Sequence, residues 1–317
     1  MAFVTFLASS LKLSATFLYG STGEIITEKS GHLNLGIPGV MSVGAAVGCV
    51  TVFRLLKAEV ASGFLLVFLP LLATLVAGGL MGVLYSFMTV TLRANQNVTG
   101  LALTTLGVGL AGHFMNGIRA ESMILGRASK YYTSLFGINS TNWFVQVFLS
   151  HGVLVYLAII IAIATQIILN RTRIGLHLRA VGENPATADA AGVNVTAYKY
   201  VATIIGSGIA ALGGLFTIMD YMGGNWEYIL EGFGWLSIAL VIFTLWRPAL
   251  AIPGSIIFGG LYIAAGFIKG ISFAQIELIK LLPYVMTIVV LIFTSIVGNK
   301  KAQPPASLGL NYFREER

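Results

Sequence analysis

The chain has 317 residues, with only 19 Lys and Arg and 12 Asp and Glu, and 56% of it is apolar, giving a mean hydropathy of +0.87. Charged residues make up about a quarter of an ordinary soluble domain. These numbers therefore exclude a water-soluble globule, and they exclude disorder as well. No Asp, Glu, Lys or Arg occurs in residues 30–53, 60–92, 94–118, 131–170, 200–219, 248–268 or 281–299, runs of 19 to 40 residues. Roughly 20 apolar residues span a bilayer as a helix, so the fold class is all-α: a polytopic transmembrane helical bundle.

In chain order the expected spans are 3–20, 32–53, 64–92, 98–118, 143–169, 198–219, 233–246, 248–269 and 277–297. The count is eight to ten membrane helices. Met1 to Gly20 has no basic leader region and no small-residue cleavage site, and reads as a first membrane helix. As one helix, 64–92 would be roughly 44 Å long, which predicts a tilt or a break, with Gly78-Gly79 the expected point. Arg247-Pro248 divides the next-to-last pair of spans, since Pro ends one helix and opens another. Cys49 is the single cysteine and lies in an apolar run, so no disulfide framework is expected.

The net charge of +7 is read as a sidedness signal, with no nucleic-acid partner. Arg171, Arg173, Arg179 and Lys199 form the densest basic cluster, and Lys300, Lys301, Arg314 and Arg317 follow the last span. Four spans separate the two groups, so both fall on the cytoplasmic side of a multi-pass protein of the cell membrane. Tyr221 to Gly232 then lies outside, carrying Glu227, Glu231 and two aromatic anchors. The division is residues 1–300 as one transmembrane domain with a cytoplasmic loop at 171–199, and 301–317 as a cytoplasmic tail. The side of the N-terminus stays open.

Glycine pairs four apart, Gly44 with Gly48, Gly78 with Gly82 and Gly266 with Gly270, predict close helix packing in lipid. Ile204 to Gly214 reads IIGSGIAALGG and matches a dinucleotide fingerprint, but it lies in a charge-free run with no βαβ unit around it. It is read as a glycine-rich membrane helix. His32, His113, His151 and His177 have no ligand-type partner one helical turn away, so no metal site is expected. A phosphate-binding loop is missing too, so ATP hydrolysis is not expected on this chain, which is read as no enzyme and as carrying no cofactor. Ionisable residues well within apolar surroundings reduce to Lys12 and Lys280, and Asp220 at a span end is a poor proton carrier. That argues against ion coupling.

The loop Arg171 to Lys199 stands out. Asn184 can cap a helix, Pro185 suits its first position, Ala186 to Ala191 favours it, and Gly192 suits the left-handed residue after it. The expectation is a short two-turn helix at 184–192 with a surface suited to another protein's groove.

RAVGENPATADAAGVNV in this loop resembles the ATPase-coupling loop of ABC importer permeases of the branched-chain amino acid, simple sugar and nucleoside class. GEIITEKSGHLNLGIPGVMSVGA at Gly23 to Ala45 is similar to a second motif of that class. LRANQNVTG at Leu92 to Gly100 resembles an Arg-Ala-x-Gln-x-Val-x-Gly segment of the nucleoside permeases. The likeness runs from about residue 20 to 297. The loop has Asp189-Ala190-Ala191-Gly192 where maltose-type importers have Glu-Ala-Ala-x-x-x-Gly.

The resemblance implies a type II-like permease working with separate ATP-binding subunits that hold ATP and Mg, a second, related permease chain in a heterodimer, and an extracytoplasmic substrate-binding lipoprotein. It implies ATPase coupling through Gly182, Glu183, Asn184, Pro185, Asp189, Ala191 and Gly192. Asn34, Gln96, Asn97, Thr99 and Asn116 are uncharged polar groups in apolar stretches that suit a hydroxylated solute such as a ribose. Hydrogen bonding between helices would explain them equally well. Three readings stand: a nucleoside importer permease; the same architecture carrying a simple sugar or another small solute such as a vitamin; and a self-sufficient secondary transporter or channel.

Overall fold

A computed structural model of the chain describes residues 2–118, 122–133, 142–268, 270, 272–297 and 303–313. The described residues are helical throughout the bundle and include no strand. The helices are α1 (Ala2–Glu28), α2 (Ile37–Lys57), α3 (Gly63–Ser86), α4 (Gln96–Asn116), α5 (Ser122–Thr133), α6 (Trp143–Phe148) and α7 (Val153–Arg171). They continue with α8 (Arg173–Glu183), α9 (Pro185–Ala190), α10 (Val195–Phe216), α11 (Leu230–Phe243), α12 (Pro248–Phe267), α13 (Phe273–Lys280) and α14 (Leu282–Val297). Single π-helical turns extend α3 over Phe87–Thr91 and α10 over Thr217–Tyr221. Eight of these segments are long and apolar enough to cross a membrane, and α11 is a shorter apolar helix.

α10 is the centre of the bundle, and small residues let its neighbours reach it. Ala211 packs against both Gly44 of α2 and Gly78 of α3, where an added Cβ would lie 2.6 Å and 2.4 Å from the Ala211 methyl. A Cβ on Gly206 would sit 2.4 Å from the Gly23 carbonyl oxygen of α1. A Cβ on Gly214 would meet the Met41 carbonyl oxygen at 1.9 Å. Lipid supplies no hydrophobic drive for association, so such backbone-level contact replaces it. The fingerprint-like run at 204–214 is therefore part of α10, the most buried of the membrane helices among the described residues. Gly266 has nothing within 4 Å of a built Cβ, and Gly270 lies past the end of α12 at φ +81°, so the third glycine pair does not pack. Apolar side chains of α3 and α14, among them Phe64, Leu80, Ile288 and Ile296, cover the periphery.

Several expected boundaries move for local reasons. α1 runs unbroken to Glu28, not to residue 20, since Gly20-Ser21-Thr22-Gly23 is buried helix packed on α10 and α11. The second span starts at Ile37, not at 32, and the chain before it is non-helical. α3 does not break at Gly78-Gly79, where both residues are helical; the π-helical turn at 87–91 ends it instead. The expected single helix at 143–169 is two. It interrupts where Gly152 squeezes past Tyr132 and Asp220, a Cβ there falling 1.6 Å from the Tyr132 carbonyl oxygen. The span at 277–297 divides into α13 and α14 next to Pro283, and the loop 171–199 contains an unanticipated second helix, α8, capped by Thr172.

The connectivity is legible from the tail. Ser307 donates its backbone N–H to Gly182, and Gly309 donates to Gly31. Trp246 donates its indole N–H to Glu28. The α1–α2, α8–α9, α11–α12 and tail segments thus share one end of the bundle. α10 leaves that end and α11 returns to it, as do the later pair α12 and α13–α14. That end carries Lys29, Arg93, Arg171, Arg173, Arg179, Lys199 and Arg247, against Arg54, Lys57, Arg127 and Lys130 at the other. Arg119, Lys269, Lys300, Lys301, Arg314 and Arg317 lie outside the described residues.

The α1–α10 contact yields a direct test. Gly206→Val should remove most folded protein from detergent extracts, since overpacking costs ~1–3 kcal/mol or more. Gly266→Ala should leave the yield unchanged. Size-exclusion profiles of fluorescently tagged variants check both.

Candidate coupling face

The site grows from α8 and α9. Asn184 ends one helix and caps the other, its Oδ1 accepting from Thr187 N at 3.0 Å. Pro185 occupies the first turn, where its missing N–H costs nothing. Gly192 adopts φ +84° and donates to the Asp189 carbonyl at 3.0 Å, which closes the helix. The predicted short helix thus exists as α9, six residues long, bounded by the residues that the sequence marks.

α9 has two faces. Beneath it, Ala188 packs with Val181 and Val195, backed by Val193, Tyr198 and Tyr312. Asp189 accepts the Tyr312 hydroxyl at 2.8 Å. Gly182 presses against α1, its built Cβ 2.3 Å from the Lys29 carbonyl oxygen, and its own carbonyl accepts Ser307 N at 3.0 Å. Glu183 accepts Ala306 N at 3.3 Å. The opposite face shows Asn184, Thr187, Ala190, Ala191 and Gly192 to solvent, with Pro185 and Ala186 half-buried. Only small side chains stand on that face. To one side, Lys29, Arg179, Glu183, Arg247 and Gln303 line a polar cavity of about 510 Å³.

The other two motifs converge on the same place. Residues 31–36 are non-helical, so their polar backbone needs partners at the edge of an apolar slab. Glu24 Oε1 accepts Asn34 N at 2.9 Å, and Asn34 Oδ1 accepts Gly36 N at 2.9 Å. Gln96 Oε1 accepts Leu33 N at 2.8 Å, while Tyr85 donates to the Leu33 carbonyl at 2.6 Å. Gln96 Nε2 donates to Leu310 O at 3.2 Å, and Asn311 donates back to the Arg93 carbonyl at 2.7 Å. The tail 306–312 therefore clips together three segments about 60 to 90 residues apart in sequence.

Of the polar residues expected along a solute path, Asn34 and Gln96 are buried within this network. Asn97 is exposed and Thr99 half-buried on the first turn of α4 nearby. Asn116 is exposed at the far end of α4, roughly 30 Å away at 1.5 Å per residue. The five do not meet in one site.

The structure adds residues that sequence reasoning passed over. Glu24 and Glu28, 0% and 1% exposed, stand one turn apart near the end of α1; their i, i+4 spacing was the available signal, hidden by ending the span early. Lys12 of α1 pairs with Asp220 at 3.0 Å, so Lys12 is not solitary. Near the far end, Ser42, Ala111, Trp226, Tyr228, Glu227 and Glu231 surround a narrow cavity of about 60 Å³. The rings of Trp226 and Tyr228 are 6.2 Å apart, edge to face, and the buried indole N–H of Trp226 has no partner among the described residues.

His32 gives this end of the bundle a pH signature. It is buried, with Nδ1 3.1 Å from the Thr203 hydroxyl. Burial, then the nearby Lys199 ammonium, holds its imidazole well below the ordinary range. His151 shifts the same way, mainly through burial. Below about pH 6.5 the unfolded chain binds protons that these folded histidines refuse, so stability falls with acidification. Melting midpoints should drop between about pH 7 and about pH 5, and His32→Gln should flatten the slope without abolishing it.

Comparison with known proteins identifies relatives over nearly the whole chain. The nucleoside ABC transporter permease protein NupC of Lactococcus lactis subsp. cremoris is 30% identical over 98% of this chain and 96% of its own length. The guanosine ABC transporter permease protein NupQ of Bacillus subtilis is 28% identical over 98% of the chain and 96% of its own length. A putative glucose ABC transporter permease protein of Haloferax volcanii is 31% identical over 80% of the chain and 74% of its own length. These relatives are transport subunits and not enzymes, and the eight apolar helices make the chain a multi-pass membrane protein. Residues 6–291 match the family described as the permease component of branched-chain amino acid transport systems, and the chain belongs to that family of ABC transporter permeases.

Proposed function

We propose that this chain is the membrane-spanning permease subunit of an importer for nucleosides, driven by a separate ATP-binding subunit that docks on α9. The observation that carries the reading is the construction of α9. Its exposed face is made of small residues between sharp caps, and its buried face is tied through Asp189, Gly182 and Glu183 to the tail and to the ends of the membrane helices. A displacement of α9 is thereby handed to α1 and α4 as a rigid-body shift. Gly182, Glu183, Asn184, Pro185, Asp189, Ala191 and Gly192 are the coupling residues in this reading. The ATPase brings ATP and Mg, and the basic rim of Lys29, Arg179 and Arg247 favours an acidic border on it.

In this reading the α9 end, with the C-terminus, is cytoplasmic, in keeping with its excess of Lys and Arg. A second, related permease completes a heterodimeric pore, and a lipoprotein delivers the solute at the opposite end. Nucleosides are favoured by the two nucleoside permeases that match nearly the whole chain. The exposed Tyr228 ring, backed edge to face by the buried Trp226 and flanked by Glu227 and Glu231, supports them further, since it offers a ring face to a base and acceptors to ribose hydroxyls. Asn116 at the same end of α4 belongs to that path, while Asn34, Gln96, Asn97 and Thr99 lie at its inner mouth. The glucose permease relative favours the second reading, a sugar on the same architecture.

Two variants in the reconstituted complex test this. Pro185→Glu with Ala186→Glu should abolish uptake while leaving membrane insertion intact; normal uptake would refute docking at α9. Tyr228→Ala should lower nucleoside uptake about tenfold, the scale of one lost base-stacking contact. Uptake of glucose but of no nucleoside by the unaltered complex would move the assignment to the sugar reading.

A further inference from the structure

On the side of α9 away from the Lys29 cavity, a second polar cavity of about 500 Å³ opens between the π-helical turn after α3, the start of α10 and the tail. Lys199, one turn into α10, lines it and is only 2% exposed. Among the described residues its ammonium has no ion pair and no hydrogen bond, unlike Lys12, which pairs with Asp220. Arg93 reaches the same cavity from the end of α3, held by φ +57° and lying 4.9 Å from the Phe313 ring. Thr89 and Thr196 add hydroxyls. Asp189 is the one carboxylate on the wall, and the Tyr312 hydroxyl donates to it.

Removing an ammonium from water without a counter-charge is expensive. An isolated buried lysine aimed into a polar space is relieved by an anion in that space. Val195 and Thr196 line the same cavity, on the first turn of α10 where no helical carbonyl can accept their backbone N–H groups. Asn194 caps only Ala197, at 3.0 Å.

We propose that this cavity is a binding site for a phosphate-type anion, clasped by Lys199 and Arg93 at the start of α10. Its volume admits a phosphate with a small organic group attached, which describes both an anionic lipid headgroup and a soluble phosphate ester. A bound anion would brace the Gly192–Val195 link between α9 and α10 against the end of α3. That consequence rests on the coupling role of α9; the binding itself does not.

The test uses the full chain in nanodiscs and reads its melting midpoint. In phosphatidylcholine discs, inorganic phosphate and glycerol 3-phosphate are titrated against sodium chloride of equal ionic strength. A second arm replaces part of the lipid with phosphatidylglycerol and adds no phosphate. A rise with the soluble anions identifies a soluble ligand; a rise only in the second arm identifies the lipid. Either supports the site if Lys199→Gln weakens it about tenfold, the scale of one charge-assisted hydrogen bond. Arg93→Gln, at an exposed position, should weaken it by a smaller factor and serves if Lys199→Gln does not fold. Without anion, Lys199→Gln should melt no lower than the unaltered chain, because it removes an unpaired buried charge. A midpoint unmoved in every arm, or variants that respond as the unaltered chain does, overturns the proposal.

Discussion

The short non-helical segment between α1 and α2 sets the terms for this molecule. Residues 31–36 lie where the bundle meets the membrane edge, and their backbone groups cannot be left without partners there. Glu24, Gln96, Tyr85 and the Asn34 side chain supply those partners from three different helices and from the segment itself. Gly31, at φ +86°, turns the chain tightly enough for the tail to seat against it. Loss of this turn would free the ends of α1, α2 and α4 together. Buried polar networks are demanding in this way: a half-satisfied one is worse than none.

The same network explains why three separated motifs lie side by side at one end of the bundle. The α8–α9 loop touches the turn directly at Gly182 and indirectly through Ser307, while the segment at 93–96 joins through Asn311 and Gln96. A short helix docked at a membrane surface transmits force only if its underside is fixed. Here the fixing comes from the Tyr312–Asp189 bond and from a small apolar core around Ala188. At the centre of the bundle, α10 meets α1, α2 and α3 through glycine and alanine, so these four helices form one stiff body. In the proposed coupling, a shift of α9 would be passed to a unit with little internal slack.

Much of this was readable from residue order. Charge-free runs located the membrane helices, since a bilayer tolerates few ionised groups and demands continuous helix. Asn184, Pro185 and Gly192 marked α9 because capping and left-handed turns depend on the identity of single residues. α8 escaped notice: its helical signal is an amphipathic pattern interrupted by Gly175 and Gly182, two residues that the structure needs for close approach to α7 and α1. Glu24 and Glu28 escaped because the glycines and hydroxyls before them looked like the end of a span, while helix–helix contact keeps that stretch helical.

What the sequence by itself determined is the class of the molecule, the approximate positions of its crossings and the short capped helix, all of which follow from local composition, hydropathy and backbone propensity. Only the tertiary structure decided that Asn34 and Gln96 hold a turn together, that Lys12 meets Asp220, and that Lys199 faces a polar cavity without a counter-charge. Those facts rest on contacts between segments tens to hundreds of residues apart. Such contacts are set by which helices can approach closely, and that depends on the packing of the whole bundle.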